Sequence, residues 1–390
     1  MSSLITASSA PATSETVDSA ADNVTPTHPP RVLFVSPSMR MVGGQAQQSD
    51  RLQRHLQALG DVDTFFVAID PKLPAWLEPV TAVRGVRTAV RELFYLADLL
   101  RAVPQADVVH VFSASYYAFM LHTIPALVLA RWFGKPAILN YRSGEAEDHL
   151  ANWRLTALPF IRRFATAVVA PSGYLVDVFA RFGVRAQAIG NFIELERFRF
   201  RRRASIAPKV LANRLLEPLY NYPCLFRAFQ RVQAVYPDAT LTIASEGPDR
   251  ASIEADARSL GLQHVAFLGR VSPVRMAELY DEADIYLTTP NVDCMPGSLL
   301  ECAASGLPIV ATNAGGIPYI VEDARSALLA PVNDHVRLAE HMLRLLKEPG
   351  LGARLADAAR ADVERHYVAD VVVGAWRDLY YRLRGASTAR

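Results

Sequence analysis

Two acids eight residues apart, Asp293 and Glu301, bracket the stretch of this 390-residue sequence with the clearest chemical content. Between them Pro296 and Gly297 open a helix near Ser298, so free backbone N–H groups and the positive end of the helix dipole can face an anion such as a phosphate. Glu301 follows about two turns after Asp293, a spacing that can direct both carboxylates toward one end of a crevice. Carboxylates accept hydrogen bonds from vicinal hydroxyls, the groups that sugars and ribose display. After the next strand, Gly315 and Gly316 would let the backbone approach a bulky ligand closely. Taken singly, the two acids read as a solvated loop residue and a helix-surface residue. The whole run TTPNVDCMPGSLLECAASGLPIVATNAGGIPYIVED, from Thr288 to Asp323, turns that reading toward ligand binding.

That run resembles the donor-site signature of retaining glycosyltransferases of family four, also called group one: Glu-x7-Glu, a small-residue helix, a strand and Gly-Gly. Asp293 stands at the first Glu, keeping the charge with a shorter reach, while LLECAASGLPIVAT and GGIP match closely. The similarity extends through ASEGPD from Ala244, FLGRVS from Phe267 and LYDEADIYLTTP from Leu279, and continues more weakly in the N-terminal half. It implies an α/β fold of the GT-B type, two Rossmann-like domains facing across a crevice. It also implies transfer of a sugar with retained configuration, with a nucleotide-sugar as co-substrate and neither cofactor nor metal. By that resemblance Glu301 holds the donor ribose, and Asp293, Met295 and Gly297 meet the donor sugar. Arg214, in ANRLLEPLYN, matches the arginine that grips the diphosphate, a task suited to its planar fork, and with Asp293 it is a catalytic candidate. The family supplies a lysine about five residues later, where this chain has Tyr220 and Asn221. Leaving-group stabilisation would then rest on Arg214 and the helix start near Gly297, with Asn221 kept among the donor contacts. Glu246 would meet the donor or cap the next helix.

In the N-terminal half, Gly43 and Gly44 of SPSMRMVGGQAQQ resemble the family's glycine loop near donor phosphates and acceptor. The loop is neither a Walker loop nor a Gly-x-Gly-x-x-Gly fingerprint. His110 stands at the first position of the family's His-x-His, with Phe112 at the second, and is read either as catalytic or as structural. Arg142, Ser143 and Glu145 of NYRSGEAEDH follow a strand on the acceptor side, where polar loop residues are disproportionately functional. Arg142 and Glu145 would steer an acceptor or pair with each other.

These residues need two sheets to hold them. Short β-branched runs alternate with helical patterns, the mark of parallel sheets covered by helices. One series starts at Arg31, Asp63, Asp107, Pro136 and Thr166, and a second at Ala239, His264, Ala283, Leu307 and Ser326. The expected organisation is a disordered tail (1–30), an acceptor-side domain (31–190), a linker (191–206), a nucleotide-sugar domain (207–367) and a terminal helix (368–390) packing back on the first domain. Ligands of such sheets bind beyond the carboxyl ends of the strands, here in the crevice between the domains.

Bulk composition narrows the remaining classes. A net charge of +2 lacks the basic signature of a nucleic-acid binder, and 51% hydrophobic content supplies a substantial core. Cys224, Cys294 and Cys302 are odd in number and lack metal spacing, which fits a reducing cytoplasm. The apolar run from Val109 to Phe133 is broken by His110, His122, Pro125 and Arg131, and reads as strand, loop and helix rather than a membrane span. RFRFRRR, Arg197 to Arg203, either attracts an anionic membrane or is simply solvated, leaving a peripheral contact at the inner membrane face open. Residues 1–206 carry 22 basic and 17 acidic side chains and the remainder 19 and 22, compatible with a basic acceptor half. The competing readings are a degenerate donor-binding scaffold and a nucleotide-sugar epimerase.

Overall fold

The computed structural model describes residues 28–41, 44–74, 76–77 and 84–388. Residues 1–27 of the expected tail, and Gly43, lie outside them. The N-terminal domain contains β1 (Arg31–Ser36), β2 (Asp63–Ala68), β3 (Val108–Ser113), β4 (Ala137–Tyr141), β5 (Ala167–Ala170) and β6 (Gln187–Ala188). They form one parallel sheet in the order β2-β1-β3-β4-β5-β6. The C-terminal domain contains β7 (Lys209–Ala212), β8 (Thr240–Ile243), β9 (Val265–Phe267), β10 (Ile285–Thr288), β11 (Ile309–Thr312) and β12 (Leu328–Ala330), ordered β12-β11-β10-β7-β8-β9. Central strands such as β3 and β10 are buried along their whole length, because helices cover both faces of a parallel sheet. The apolar run after Val108 folds as β3, a helical turn over Tyr116–Ala118, a π turn over Phe119–Thr123 and the Ile124–Trp132 helix.

Each sheet winds outward in two directions from its middle. In the first the reversal falls between β1 and β3, and in the second between β7 and β10. Loops leaving the carboxyl ends of such a pair diverge and leave an opening. β7 and β10 are direct neighbours, with Val210 beside Ile285 and Leu211 beside Tyr286. The loops that carry Arg214 and Asp293 therefore start side by side at a switch point.

Two chain crossings join the domains, and they touch. The Ile193 amide donates to the Tyr367 carbonyl at 2.9 Å, and Ile193 forms an isolated bridge with Val368. Beyond this point the Ala369–Thr388 helix leaves the C-terminal domain and buries Val373, Trp376 and Tyr380 against Phe34, Leu52 and Val108 of the first domain.

Two of the linker arginines are structural. Arg203 is fully buried and its guanidinium donates to the carbonyls of Tyr280 (2.7 Å), Ala283 (2.7 Å) and Gly306 (2.6 Å), with Asp284 at 3.3 Å. Burial, with the Arg201 charge next, pulls Arg203 down to about 10, still charged at neutral pH. Arg201 pairs with Asp284 at 2.6 Å and Arg202 with Asp357 at 3.0 Å. Arg201 and Arg203 clamp the linker to the C-terminal domain, which corrects the reading of the whole run as solvated, while Arg197, Arg199 and Arg202 stay exposed.

Trp376→Ala should cost about 3–5 kcal/mol by emptying an aromatic-sized space in the first domain's core. Urea denaturation checks this, and the exposed Val371→Ala should leave the midpoint nearly unchanged.

Candidate active site

The loop after β7 begins with Asn213 and Arg214, and these two neighbours serve the two acids. Arg214 Nη2 donates to Asp293 Oδ2 at 2.5 Å, with the two side chains 19% and 8% exposed. Its guanidinium carbon lies 4.5 Å from the centre of the Tyr220 ring, and Nη2 also reaches Tyr220 Oη at 3.2 Å. Burial works against the charge, yet the Asp293 carboxylate, with Tyr220 and Tyr286, holds Arg214 above its ordinary pKa. Among the described residues Arg214 Nε is buried without a partner, a spare donor on a charged group.

Asn213 leads to the second acid. Its Nδ2 donates to Tyr280 Oη at 2.5 Å, and Tyr280 Oη donates to Glu301 Oε2 at 2.6 Å. Tyr286 Oη bridges Asn213 Oδ1 and Ser298 Oγ, each at 2.8 Å. Burial pushes both tyrosines well up, and for Tyr280 the Glu301 charge adds to it, so both keep their protons. This layer fixes the rotamer of Glu301 behind the crevice. The sequence reading missed Asn213, Tyr280, Tyr286 and Ser298, although Tyr280 and Tyr286 sit at six-residue spacing in LYDEADIY.

The Gly297–Ala304 helix starts at Pro296 without a side-chain cap, and a Cβ at Gly297 would meet nothing within 4 Å, so its first turn is open. The preceding loop is held from the other side by the glycine pair. Gly316 N donates to the Asp293 carbonyl at 2.7 Å, and a Cβ on Gly316 would run into the Cys294 carbonyl. Gly315 has φ +54° and faces the Asp293 backbone. Close approach is real here, but the surface approached is the chain's own loop, which corrects the expectation that these glycines make room for a ligand.

The N-terminal domain meets this same loop. Ser172 Oγ donates to the Cys294 carbonyl at 2.6 Å, and Gly144 lies beside the Asp293 backbone. Asn191 Nδ2 donates to the Met295 carbonyl at 3.1 Å, while its Oδ1 accepts from Arg142 Nη2. Burial pulls Arg142 down to about 10, and its guanidinium lies over the Phe112 ring at 5.7 Å. Gln45, missed in the sequence, reaches the Ser113 carbonyl at 3.4 Å from the helix that starts at Gly44.

Four expectations change. His110 is fully buried, stacked on Phe112 and Trp376, with Nδ1 at 2.8 Å from Tyr380 Oη and Nε2 at 2.9 Å from Asn140 Nδ2. With both nitrogens engaged inside the core it touches nothing in the crevice, so it is structural and not catalytic. Asn221 is the left-handed cap of the Tyr222–Gln233 helix, and its amide donates to Asn291 and Asn333, so it turns away from Arg214. Glu246 is exposed and pairs with Arg250, and it does not cap the next helix. Glu145 is exposed and does not pair with Arg142, while Ser143 Oγ accepts from the Glu145 amide at 3.4 Å. Among the described residues no group of three or more His, Cys, Asp or Glu side chains is arranged to hold a metal ion.

Two doubly wound parallel sheets whose switch points face one crevice, with an arginine–carboxylate pair and an open helix start at its C-terminal side, define the GT-B class. The family model described as Glycosyltransferase Family 4 matches residues 42–197, and that described as Glycosyl transferases group 1 matches 198–362. The chain belongs to this glycosyltransferase family. It is 28% identical over 205 residues to N-acetyl-alpha-D-glucosaminyl L-malate synthase of Bacillus anthracis, covering 50% of this chain and 53% of the relative. It is 26% identical over 353 residues to D-inositol 3-phosphate glycosyltransferase of Frankia alni, covering 79% and 87%. The chain spans about half the length of the first curated relatives it matches. Sucrose-phosphate synthase from Thermosynechococcus elongatus has the same fold at TM-score 0.76 and 18% identity, covering 92% of this chain and 100% of that one. Anabaena HepE in complex with UDP-glucose has it at TM-score 0.70 and 15% identity, covering 90% and 99%.

Buried neutral histidines set a pH dependence of stability. Burial, with the Arg142 charge next, holds His110 well below 6.5, and burial pulls His149 down to about 4. As pH falls below about 6.5 the unfolded chain takes up these protons and the folded chain does not, so stability present above about 6.5 is lost toward pH 4. The loss is up to about 1.4 kcal/mol per pH unit for each histidine. Urea midpoints at neutral and mildly acid pH should show the decline, with a shallower slope in His149→Gln.

Proposed function

We propose that this glycosyltransferase moves a sugar from a nucleotide-sugar donor to an acceptor on the N-terminal side of the crevice, retaining the anomeric configuration and using no metal. The observation that carries this is the Arg214–Asp293 pair at the switch point, beside the open start of the Gly297–Ala304 helix. A donor diphosphate is the ligand for which an arginine with a spare buried N–H and an uncapped helix start are jointly suited. Glu301, fixed by Tyr280, would take the ribose hydroxyls. Asp293, freed from Arg214 by the phosphates, would turn to the sugar hydroxyls.

In the reaction the bond from the anomeric carbon to the phosphate oxygen breaks while the acceptor oxygen bonds to the same face. The acceptor proton passes to the departing phosphate. With Tyr220 and Asn221 where the family resemblance implies a lysine, Arg214 and the helix start would carry the stabilisation of that charge. Gln45, Arg142 and Ser143 line the acceptor approach. Family membership favours this reading over a scaffold or an epimerase. The first nucleotide to try is UDP, which solved relatives of the same fold hold.

Thermal shift with UDP, GDP, ADP and their sugar conjugates should give a base-selective stabilisation. Arg214→Ala and Glu301→Ala should abolish it, the arginine change weakening binding by about 2–5 kcal/mol. Asp293→Asn, which releases Arg214, should bind the nucleoside diphosphate more tightly while losing transfer. No shift with any nucleotide would remove the reading.

A further inference from the structure

We propose that the outer helical layer of the N-terminal domain docks on an anionic lipid bilayer surface. Three neighbouring helices form this layer, Arg84–Ala102, Ile124–Trp132 and Arg154–Phe164. Tyr95 Oη donates to the His122 carbonyl at 2.6 Å and Glu92 faces His122 at 3.1 Å, which ties the first to the second. The second packs on the third, and the Tyr117 ring meets Trp153 at 5.2 Å.

Each helix buries one stripe against the sheet and leaves large apolar side chains outside. Tyr95 and Leu99 are buried on the first helix, yet Leu93 is 66% exposed and Leu100 51%. Val86, Leu93 and Leu100 repeat every seven residues, so they share one outward stripe. Tyr117 is 72% exposed before the second helix, Trp132 79% at its end, and Leu155 85% on the third. Isolated exposed apolar residues are ordinary, but a set spread over three adjoining helices marks a contact surface.

The charges choose the partner. Residues 84–135 and 153–165 together carry nine Lys and Arg and three Asp and Glu. Of the acids, Glu92 faces His122, Asp98 pairs with Arg101 at 3.7 Å, and Asp107 binds the Arg31 amide at the start of β3. Arg87, Arg91, Arg131 and Arg154 have no ion-pair partner among the described residues, in contrast to the clamped linker arginines. Apolar side chains and amphipathic aromatics ringed by arginines suit the boundary between acyl chains and anionic headgroups. No helix among the described residues is long and apolar enough to cross a membrane, so the layer would lie on the surface. Tyr117 follows the carboxyl end of β3 and Leu155 lies beyond that of β4, so docking would bring the crevice mouth toward the lipid. That consequence for a membrane-borne acceptor rests on the transferase reading, whereas the docking itself does not.

The test is co-sedimentation of the full chain with vesicles of phosphatidylcholine alone and of phosphatidylcholine mixed with phosphatidylglycerol. Binding is expected on the anionic vesicles only, weakening as salt rises. Arg87→Gln and Arg131→Gln should each lower the partition about fivefold, and Leu93→Ser with Trp132→Ser should abolish it while nucleotide thermal shifts stay unchanged. Equal binding to both vesicles, or anionic binding that survives these substitutions, overturns the proposal. So does a dimer lost in Leu93→Ser without vesicle binding, which would give the face to a second copy. Failure here leaves the nucleotide result standing, so the two readings fail separately.

Discussion

A mostly buried guanidinium facing a mostly buried carboxylate is stable only when the chain holds both in place, and Arg214 and Asp293 are held by three separate strands' loops. The Arg214 carbonyl accepts from Tyr222 Oη, its guanidinium rests on the Tyr220 ring, and the Asp293 carbonyl accepts from Gly316. The parallel order β11-β10-β7 is what brings these loops together. Removing the carboxylate leaves a charge that needs an anion, and removing the arginine leaves an acid with no reason to stay buried. In the proposed function a diphosphate would meet the first condition by replacing Asp293.

The loop that carries Asp293 is also where the domains meet. Ser172 binds the Cys294 carbonyl and Asn191 binds the Met295 carbonyl. Asp293 therefore stands beside contacts between the two domains, which the chain also joins at the paired crossings of Ile193 and Tyr367.

The C-terminal site was legible because its parts are local: an acid, a helix start and a second acid within nine residues of one another, with the arginine just after a strand. Two strands are absent from the expected series, β6, with only two residues, and β7, whose four residues directly follow the charged linker. The N-terminal side was hard to read because its outcomes depend on distant chain. His110 is sealed by Trp376 and Tyr380, some 270 residues later, and nothing around it in sequence announces that. Arg142 finds Asn191 rather than nearby Glu145, and linker Arg203 finds carbonyl groups of the second domain rather than solvent. Gly315 and Gly316 do allow a close approach, but of the chain's own loop and not of a ligand, which sequence alone does not say.

The central claim is chemical, and proton NMR of a donor turnover tests it most directly. A nucleotide-sugar that shifts the melting temperature is incubated with the enzyme, with water or a simple alcohol as acceptor, and the anomeric signal of the first product is followed before mutarotation. The account predicts release of the nucleoside diphosphate with the sugar in the donor's own anomeric configuration, and loss of that release in Arg214→Ala. An inverted product would contradict the retaining mechanism, and a bound donor left intact would contradict transfer at this site.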